Sequence, residues 1–76
     1  MTNAQSYATQ NLYEGSFLLC RGFRLSGKRK DGKKVLVFFQ GEGVQDEALK
    51  FYNGGKVEAK AYSDAYRSLK DFVFER

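Results

Sequence analysis

Residues 16–40 carry the alternation of apolar and polar side chains that is typical of β-strands. In the first run, residues 16–26, four large apolar side chains fall on odd positions: Phe17, Leu19, Phe23 and Leu25. A period of two buries one face, so this run predicts a strand whose odd positions face the core. A second run, residues 33–40, follows an Asp31-Gly32 dipeptide, which favours a type I′ turn with positive φ at both central residues. The two runs predict a β-hairpin, with a bulge near Gly27.

From residue 44 the apolar period becomes helical. A first helix is indicated by Val44, Ala48, Phe51 and Tyr52, with acids in its first turn and Gly54 as the left-handed residue after it. A second helix is predicted over residues 59–74. Its apolar side chains share one face: Tyr62, Ala65, Tyr66, Leu69, Phe72 and Val73. The predicted fold is α+β in the order ββαα, with both helices on one face of the hairpin, because an isolated hairpin is marginal in water.

The N-terminal segment differs in composition from the remainder of the chain. Residues 1–12 are rich in Thr, Asn, Gln and Ser, with Tyr7 and Leu12 as the large apolar side chains. This composition predicts a flexible tail, followed by a single small domain over residues 13–76. A chain of 76 residues buries only about 60% of its unfolded surface, which leaves little material for a deep active site.

Several classes of function are disfavoured by composition. The chain has no His and a single Cys, Cys20, which excludes zinc sites of the Cys and His type and a disulfide framework. Cys20 has no His base to activate it as a nucleophile, so we do not expect an enzyme. We also expect no site for a cofactor, a metal or a small-molecule substrate. The N-terminus has no signal-peptide pattern and no apolar run approaches about 18 residues. We therefore expect a cytoplasmic protein that does not act at a membrane.

Charge gives the first indication of a partner. The formal net charge is +4, yet residues 21–34 hold seven cations against one acid, Asp31, and so carry +6. The cations are Arg21, Arg24, Lys28, Arg29, Lys30, Lys33 and Lys34. Cations at this density repel each other unless an anion offsets them, and phosphate contacts release counterions. We expect a nucleic-acid-binding or regulatory module that acts through this basic hairpin, with Arg21 and Arg24 extending the site if they face outward.

Two other interpretations of the hairpin stay open. Hairpin ends are ordinarily exposed and polar, and Lys on an edge ribbon blocks unwanted strand pairing. The second strand is also apolar on both faces, with Val35, Val37 and Phe39 on one of them. These three residues are candidates for a protein interface, in a homodimer or in a small inhibitor or adaptor that binds an acidic protein surface, unless a helix or the N-terminal segment covers that side.

The aromatic residues raise base stacking as a further mode of binding. The chain has seven Phe and five Tyr. Most of them fall on predicted core faces, where a small domain needs them, so core packing is the favoured interpretation. Tyr7, Tyr13 and one of Phe38 or Phe39 are left as stacking candidates.

Short motifs along the chain are similar to those of a known family. They are Leu19-Cys20-Arg21-Gly22-Phe23, the basic Asp-Gly turn with its aromatic strand, Phe51-Tyr52-Asn53-Gly54, and the closing helix with Leu69-Lys70-Asp71. Together they resemble a family of small, uncharacterised bacterial and phage domains, classified as a domain of unknown function, over residues 12–76. The resemblance implies a prokaryotic or mobile-element origin and no particular activity.

Overall fold

A three-stranded antiparallel sheet with helices on one face forms the architecture, which is described for residues 5–74 in a computed structural model. The elements in chain order are β1 (Ser6–Thr9), α1 (Leu12–Cys20), β2 (Arg24–Asp31), β3 (Lys34–Gln40), α2 (Val44–Tyr52) and α3 (Ala59–Phe74). The strand order is β1-β3-β2. The α+β class is confirmed, but the order is βαββαα and the predicted ββαα order is wrong. Residues 1–4 of the predicted tail and residues 75–76 of the predicted domain lie outside the described residues.

Residues 16–20 of the first predicted strand belong to the helix α1, and β2 begins only at Arg24. At the start of α1, Asn11 Oδ1 accepts hydrogen bonds from two backbone N–H groups of the first turn, at 2.9 and 3.3 Å. At its end, Gly22 has φ = 90°, and the N–H groups of residues 22 and 23 donate to carbonyls of the last turn, which is a Schellman cap. The strand prediction failed because Leu18, between Phe17 and Leu19, is fully buried as well. Periodicity does not separate a helix buried on several sides from a strand.

An edge strand takes the place of the predicted tail at residues 6–9. β1 pairs antiparallel with β3, so that Tyr7 lies opposite Phe39 and Thr9 opposite Val37. Thr9 is buried and Tyr7 is packed against the core. β3 is therefore the central strand, paired with β2 along its length and with β1 over residues 37–40.

The predicted hairpin is present, with a different turn. Asp31 pairs with Lys34, so Gly32 and Lys33 form the two-residue loop. Gly32 has φ = 65°, and every positive φ among residues 5–74 belongs to a glycine. The predicted type I′ turn is wrong for this reason, because a positive φ at the first central residue alone is the type II′ pattern. The register shifts between Leu25 and Gly27, which confirms a bulge at this point.

The two predicted helices are confirmed at residues 44–52 and 59–74. Together with α1 they cover the face of the sheet that carries the odd positions of β3, where Val37 and Phe39 have no exposed surface. The core joins these two side chains to residues of all three helices: Phe17, Leu18, Val44, Ala48 and Leu69. We call this helix-covered side the inner face of the sheet and the opposite side the outer face. Leu36 and Phe38 lie on the outer face, half-buried and outside the core cluster.

Gly15 is the point of closest approach between α1 and the remainder of the core. A Cβ atom at this position would lie 2.6 Å from Leu69 Cδ2 and 3.2 Å from Phe39 Cζ. Both neighbouring side chains are fully buried, so neither has free space to move into. The helix layer therefore depends on the absence of a side chain here.

We expect Gly15→Ala to lower the free energy of unfolding by about 1–3 kcal/mol through overpacking. The sign of this change in stability distinguishes overpacking from helix propensity, because Gly→Ala within a helix ordinarily raises the free energy of unfolding by up to about 1 kcal/mol. Gly27→Ala is the matched control, since a Cβ there meets no atom within 4 Å. Urea denaturation of the three proteins measures the difference. A Gly15→Ala protein as stable as the wild type would contradict the packing argument.

Candidate nucleic-acid interface

The alternation along β2 sends the predicted cations to different faces of the sheet. Arg24 pairs with Gln40 and Arg29 with Leu36, so both lie on the outer face. Lys28 pairs with Val37 and Lys30 with Val35, which places these two on the inner side. The bulge produces this division, because uninterrupted alternation along β2 would put Arg24 on the same face as Lys28 and Lys30.

Arg21 is not part of the hairpin. It caps the C-terminus of α1, and its guanidinium Cζ lies 4.8 Å from the centroid of the Phe17 ring. Its Nη2 donates a hydrogen bond of 2.9 Å to the Lys56 carbonyl, and its Nε lies 3.7 Å from Glu47 Oε2. Lys50 and Arg21 together hold the pKa of Glu47 below its usual range, mainly through the Lys50 hydrogen bond. Arg21 thus joins α1 to α2 and to the segment before α3.

Lys28 is engaged by the C-terminal end of α3. Its Nζ donates to the Phe72 carbonyl and lies 4.9 Å from the centroid of the Phe72 ring. The last carbonyls of a helix have no partner within the helix, and the dipole favours a cation there. Lys28 therefore has a structural role at the inner side of the hairpin.

Within the described residues the remaining cations of the hairpin end form no ion pair, although Arg29 Cζ lies 5.9 Å from the centroid of the Phe38 ring. We call Arg29, Lys30, Lys33 and Lys34 the hairpin cluster; all four are exposed. The ion pairs among residues 5–74 involve Arg21, Lys50 and Lys60, and none involves this cluster. Asp31 is opposite Lys34 in the ladder, without reaching ion-pair distance. The hairpin end is thus a surface of uncompensated positive charge within the described part of the chain.

The three predicted interface residues do not form an exposed face. Val37 and Phe39 are fully buried in the core, out of reach of a partner. Val35 is half-buried and lines a hollow of about 500 Å³ between the hairpin and the end of α3. The apolar side of β3 that remains partly accessible is the opposite one, with Leu36 and Phe38.

One buried polar group was not anticipated by the sequence analysis. The side chain of Glu14 is almost completely buried, and its two carboxyl oxygens accept hydrogen bonds from Tyr7 Oη at 2.7 Å and Thr9 Oγ1 at 2.6 Å. These bonds tie β1 to α1. Burial, followed by the Glu14 hydrogen bond, raises the pKa of Tyr7. The spacing Asn11-x-x-Glu14, which resembles a capping box, was the available signal for a helix start here.

Comparison with known proteins places the chain in a family. Residues 4–75 match the family model described as Domain of unknown function (DUF5659). The chain belongs to this family. The membership confirms the resemblance seen in the sequence motifs. No curated protein and no solved structure matches the chain. The family description states no activity.

Cys20, the candidate nucleophile weighed in the sequence analysis, is the last residue of α1. Cys20 is half-buried, and burial raises the pKa of its thiol although Arg21 opposes the shift. A thiol of this kind is a poor nucleophile at neutral pH. Within residues 5–74 no three His, Cys, Asp or Glu side chains are grouped to hold a metal ion. Over the same residues no helix has the length and apolar character needed to cross a membrane.

We expect Tyr7→Phe to lower the free energy of unfolding at pH 7 by about 1–3 kcal/mol, because a buried Glu14 oxygen loses its donor. The pH profile changes as well. The pKa of Tyr7 is raised in the folded state, so the unfolded chain loses this proton first, and stability falls as the pH rises above about 10, by up to about 1.4 kcal/mol per pH unit. Tyr7→Phe removes that part of the decline.

Urea denaturation between pH 7 and pH 11 measures both effects. Tyr13→Phe is the control, since Tyr13 is 57% exposed and its hydroxyl makes no hydrogen bond within the described residues. A Tyr7→Phe protein with the stability and alkaline slope of the wild type would show that the Glu14 network contributes nothing.

Proposed function

We propose that this domain binds nucleic acid through the hairpin cluster, as a small non-enzymatic or regulatory module. The observation that supports the proposal most directly is the concentration of Arg29, Lys30, Lys33 and Lys34 at one exposed end without ion-pair partners. Nearby cations disfavour the folded state unless an anion offsets their repulsion. A polyphosphate backbone supplies several such anions at once, and each contact releases a counterion.

The position of the cluster suits a backbone ligand. Residues 28–34 are all exposed, and none of them belongs to the core cluster. A two-stranded ribbon of this form fits against a nucleic-acid backbone or into a groove. Arg24 is at the opposite end of β2, on the outer face, and so extends the basic surface along the strand. Arg21 and Lys28 are left out of the proposed contact surface because they bind other parts of the chain.

We expect the triple variant Lys30→Gln, Lys33→Gln and Lys34→Gln to bind a fluorescein-labelled oligonucleotide at least about tenfold more weakly at low salt. The slope of log affinity against log salt should also become shallower by about 2 to 3, one counterion being released for each phosphate contacted. Fluorescence anisotropy across a salt series measures both quantities.

The matched control removes the same number of charges elsewhere, with Lys56→Gln, Lys60→Gln and Lys70→Gln. These three side chains are exposed, and the Lys60–Asp64 pair is a surface ion pair of little energetic weight. Equal loss of binding in both triple variants would indicate a general charge effect. Unchanged binding in the hairpin variant would refute the proposed function.

A second candidate function is interaction with a protein, and one observation favours it. Leu49 and Tyr52, three residues apart on α2, are 62% and 61% exposed. Side chains at this spacing share one helix surface and form a small apolar patch. Self-association through this patch is the simplest form of the interaction.

Sedimentation velocity over a range of concentrations, for the wild type and for Leu49→Lys, tests this candidate. A homodimer through α2 predicts concentration-dependent sedimentation in the wild type and a monomer in the variant. A wild-type monomer at all concentrations, or a dimer that Leu49→Lys leaves intact, would exclude self-association through this patch.

A further inference from the structure

The outer face of the sheet carries one aromatic ring between two very small neighbours. Phe38 of β3 lies opposite Ala8 of β1 and Gly27 of β2. A Cβ atom at Gly27 would meet no heavy atom within 4 Å, so the space beside the ring on that side is open. Cross-strand neighbours of an aromatic residue stabilise a sheet when they are aromatic or β-branched. Ala8 and Gly27 place no aromatic or β-branched side chain beside the Phe38 ring.

Core packing does not account for Phe38. The helices lie on the inner face, where Val37 and Phe39 meet them, and Phe38 is outside the core cluster. Phe38 is half-buried, and the Arg29 guanidinium carbon lies 5.9 Å from the centroid of its ring. Together with the half-buried Leu36, it gives the outer face a partly accessible apolar strip next to the cations of β2.

Positive charge lies on both sides of the ring along β2. Arg24 and Arg29 flank Gly27 in sequence and share its face, and Arg29 Cζ is 5.9 Å from the centroid of the Phe38 ring. Lys34 adds a third cation to the outer face, against one acid there, Asp31. A second copy of the chain docked on this face would bring like charges together, whereas a polyanion complements them.

An aromatic ring flanked by cations on an open sheet fits one form of nucleic acid in particular. Bases in a duplex are stacked on each other and do not present their faces, whereas the bases of a single strand stack on exposed aromatic side chains. Arg and Lys beside the ring then contact the phosphates on either side of the stacked base.

We propose that the outer face of the sheet binds single-stranded nucleic acid, with one base stacked on Phe38 and the adjacent phosphates held by Arg24, Arg29 and Lys34. This inference rests on the proposed function and specifies its ligand. The hairpin cluster supplies the electrostatic part of the binding, and Phe38 supplies the preference for unpaired bases.

The test compares Phe38→Leu and Phe38→Tyr with the wild type by fluorescence anisotropy. The probes are a labelled 12-nucleotide oligo(dT) and a labelled 12-base-pair duplex, at one low salt concentration. We expect the wild type to bind the single strand more tightly than the duplex. Phe38→Leu should weaken single-strand binding at least about fivefold, because one stacked base is lost, and leave duplex binding unchanged. Phe38→Tyr should retain the wild-type affinity.

Tyr66→Leu is the control for loss of an aromatic side chain and should leave single-strand binding unchanged, since Tyr66 is half-buried on α3 and stacks on Tyr13. Thermal unfolding of each variant shows that it is folded. Single-strand binding by Phe38→Leu equal to that of the wild type, or a wild-type preference for the duplex, would overturn this inference. Sensitivity to the hairpin triple variant would then still support the proposed function.

Two other outcomes are distinguishable. If the wild type binds neither probe at low salt, the proposed function itself fails. If Phe38→Leu dissociates a dimer in sedimentation and leaves oligonucleotide binding unchanged, the outer face is a protein interface and the single-strand assignment is wrong.

Discussion

The arrangement of sheet and helices in this domain depends on the hydrogen bonds that Glu14 of α1 accepts from β1. A carboxyl group without donors in this position would be strongly unfavourable, because desolvation would have no compensation. Tyr7 and Thr9 satisfy it, and in doing so they fix β1 beside α1. With β1 on one edge of β3 and β2 on the other, the central strand is paired on both sides and the helices are confined to a single face.

That arrangement separates the surfaces that fold the protein from those that are free to bind. The side chains of β3 point alternately to the core and to the outer face of the sheet. The cations of β2 likewise lie alternately on the inner and the outer face. Lys28 on the inner side stabilises the end of α3, while Arg29 on the outer side lies against Phe38. The cations of β2 thus lie on two faces, with Lys28 and Lys30 on the inner side and Arg24 and Arg29 on the outer side.

The sequence predicts the elements whose pattern is unambiguous. The apolar residues of α3 recur with a helical period, and the Asp31-Gly32 dipeptide indicates the hairpin. The strand predicted in place of α1 is wrong because α1 buries Glu14, Gly15 and Ser16 together with apolar residues. The helix therefore has no simple amphipathic pattern in the sequence. β1 is four residues long and gains its order from tertiary contacts. The cations were visible in composition, yet their faces depend on a bulge and a register that alternation alone does not fix.

The position of the hairpin end determines how substitutions there act on the fold. Residues 26–36 contribute no side chain to the core cluster, and apart from Lys28 they hold no helix in place. Apart from Gly32, whose φ is positive, these positions accept changes of charge and shape at little cost in stability, whereas Gly15 has no room for a side chain. The charge of the hairpin end is therefore alterable without disturbing the packing of α1 against Leu69 and Phe39.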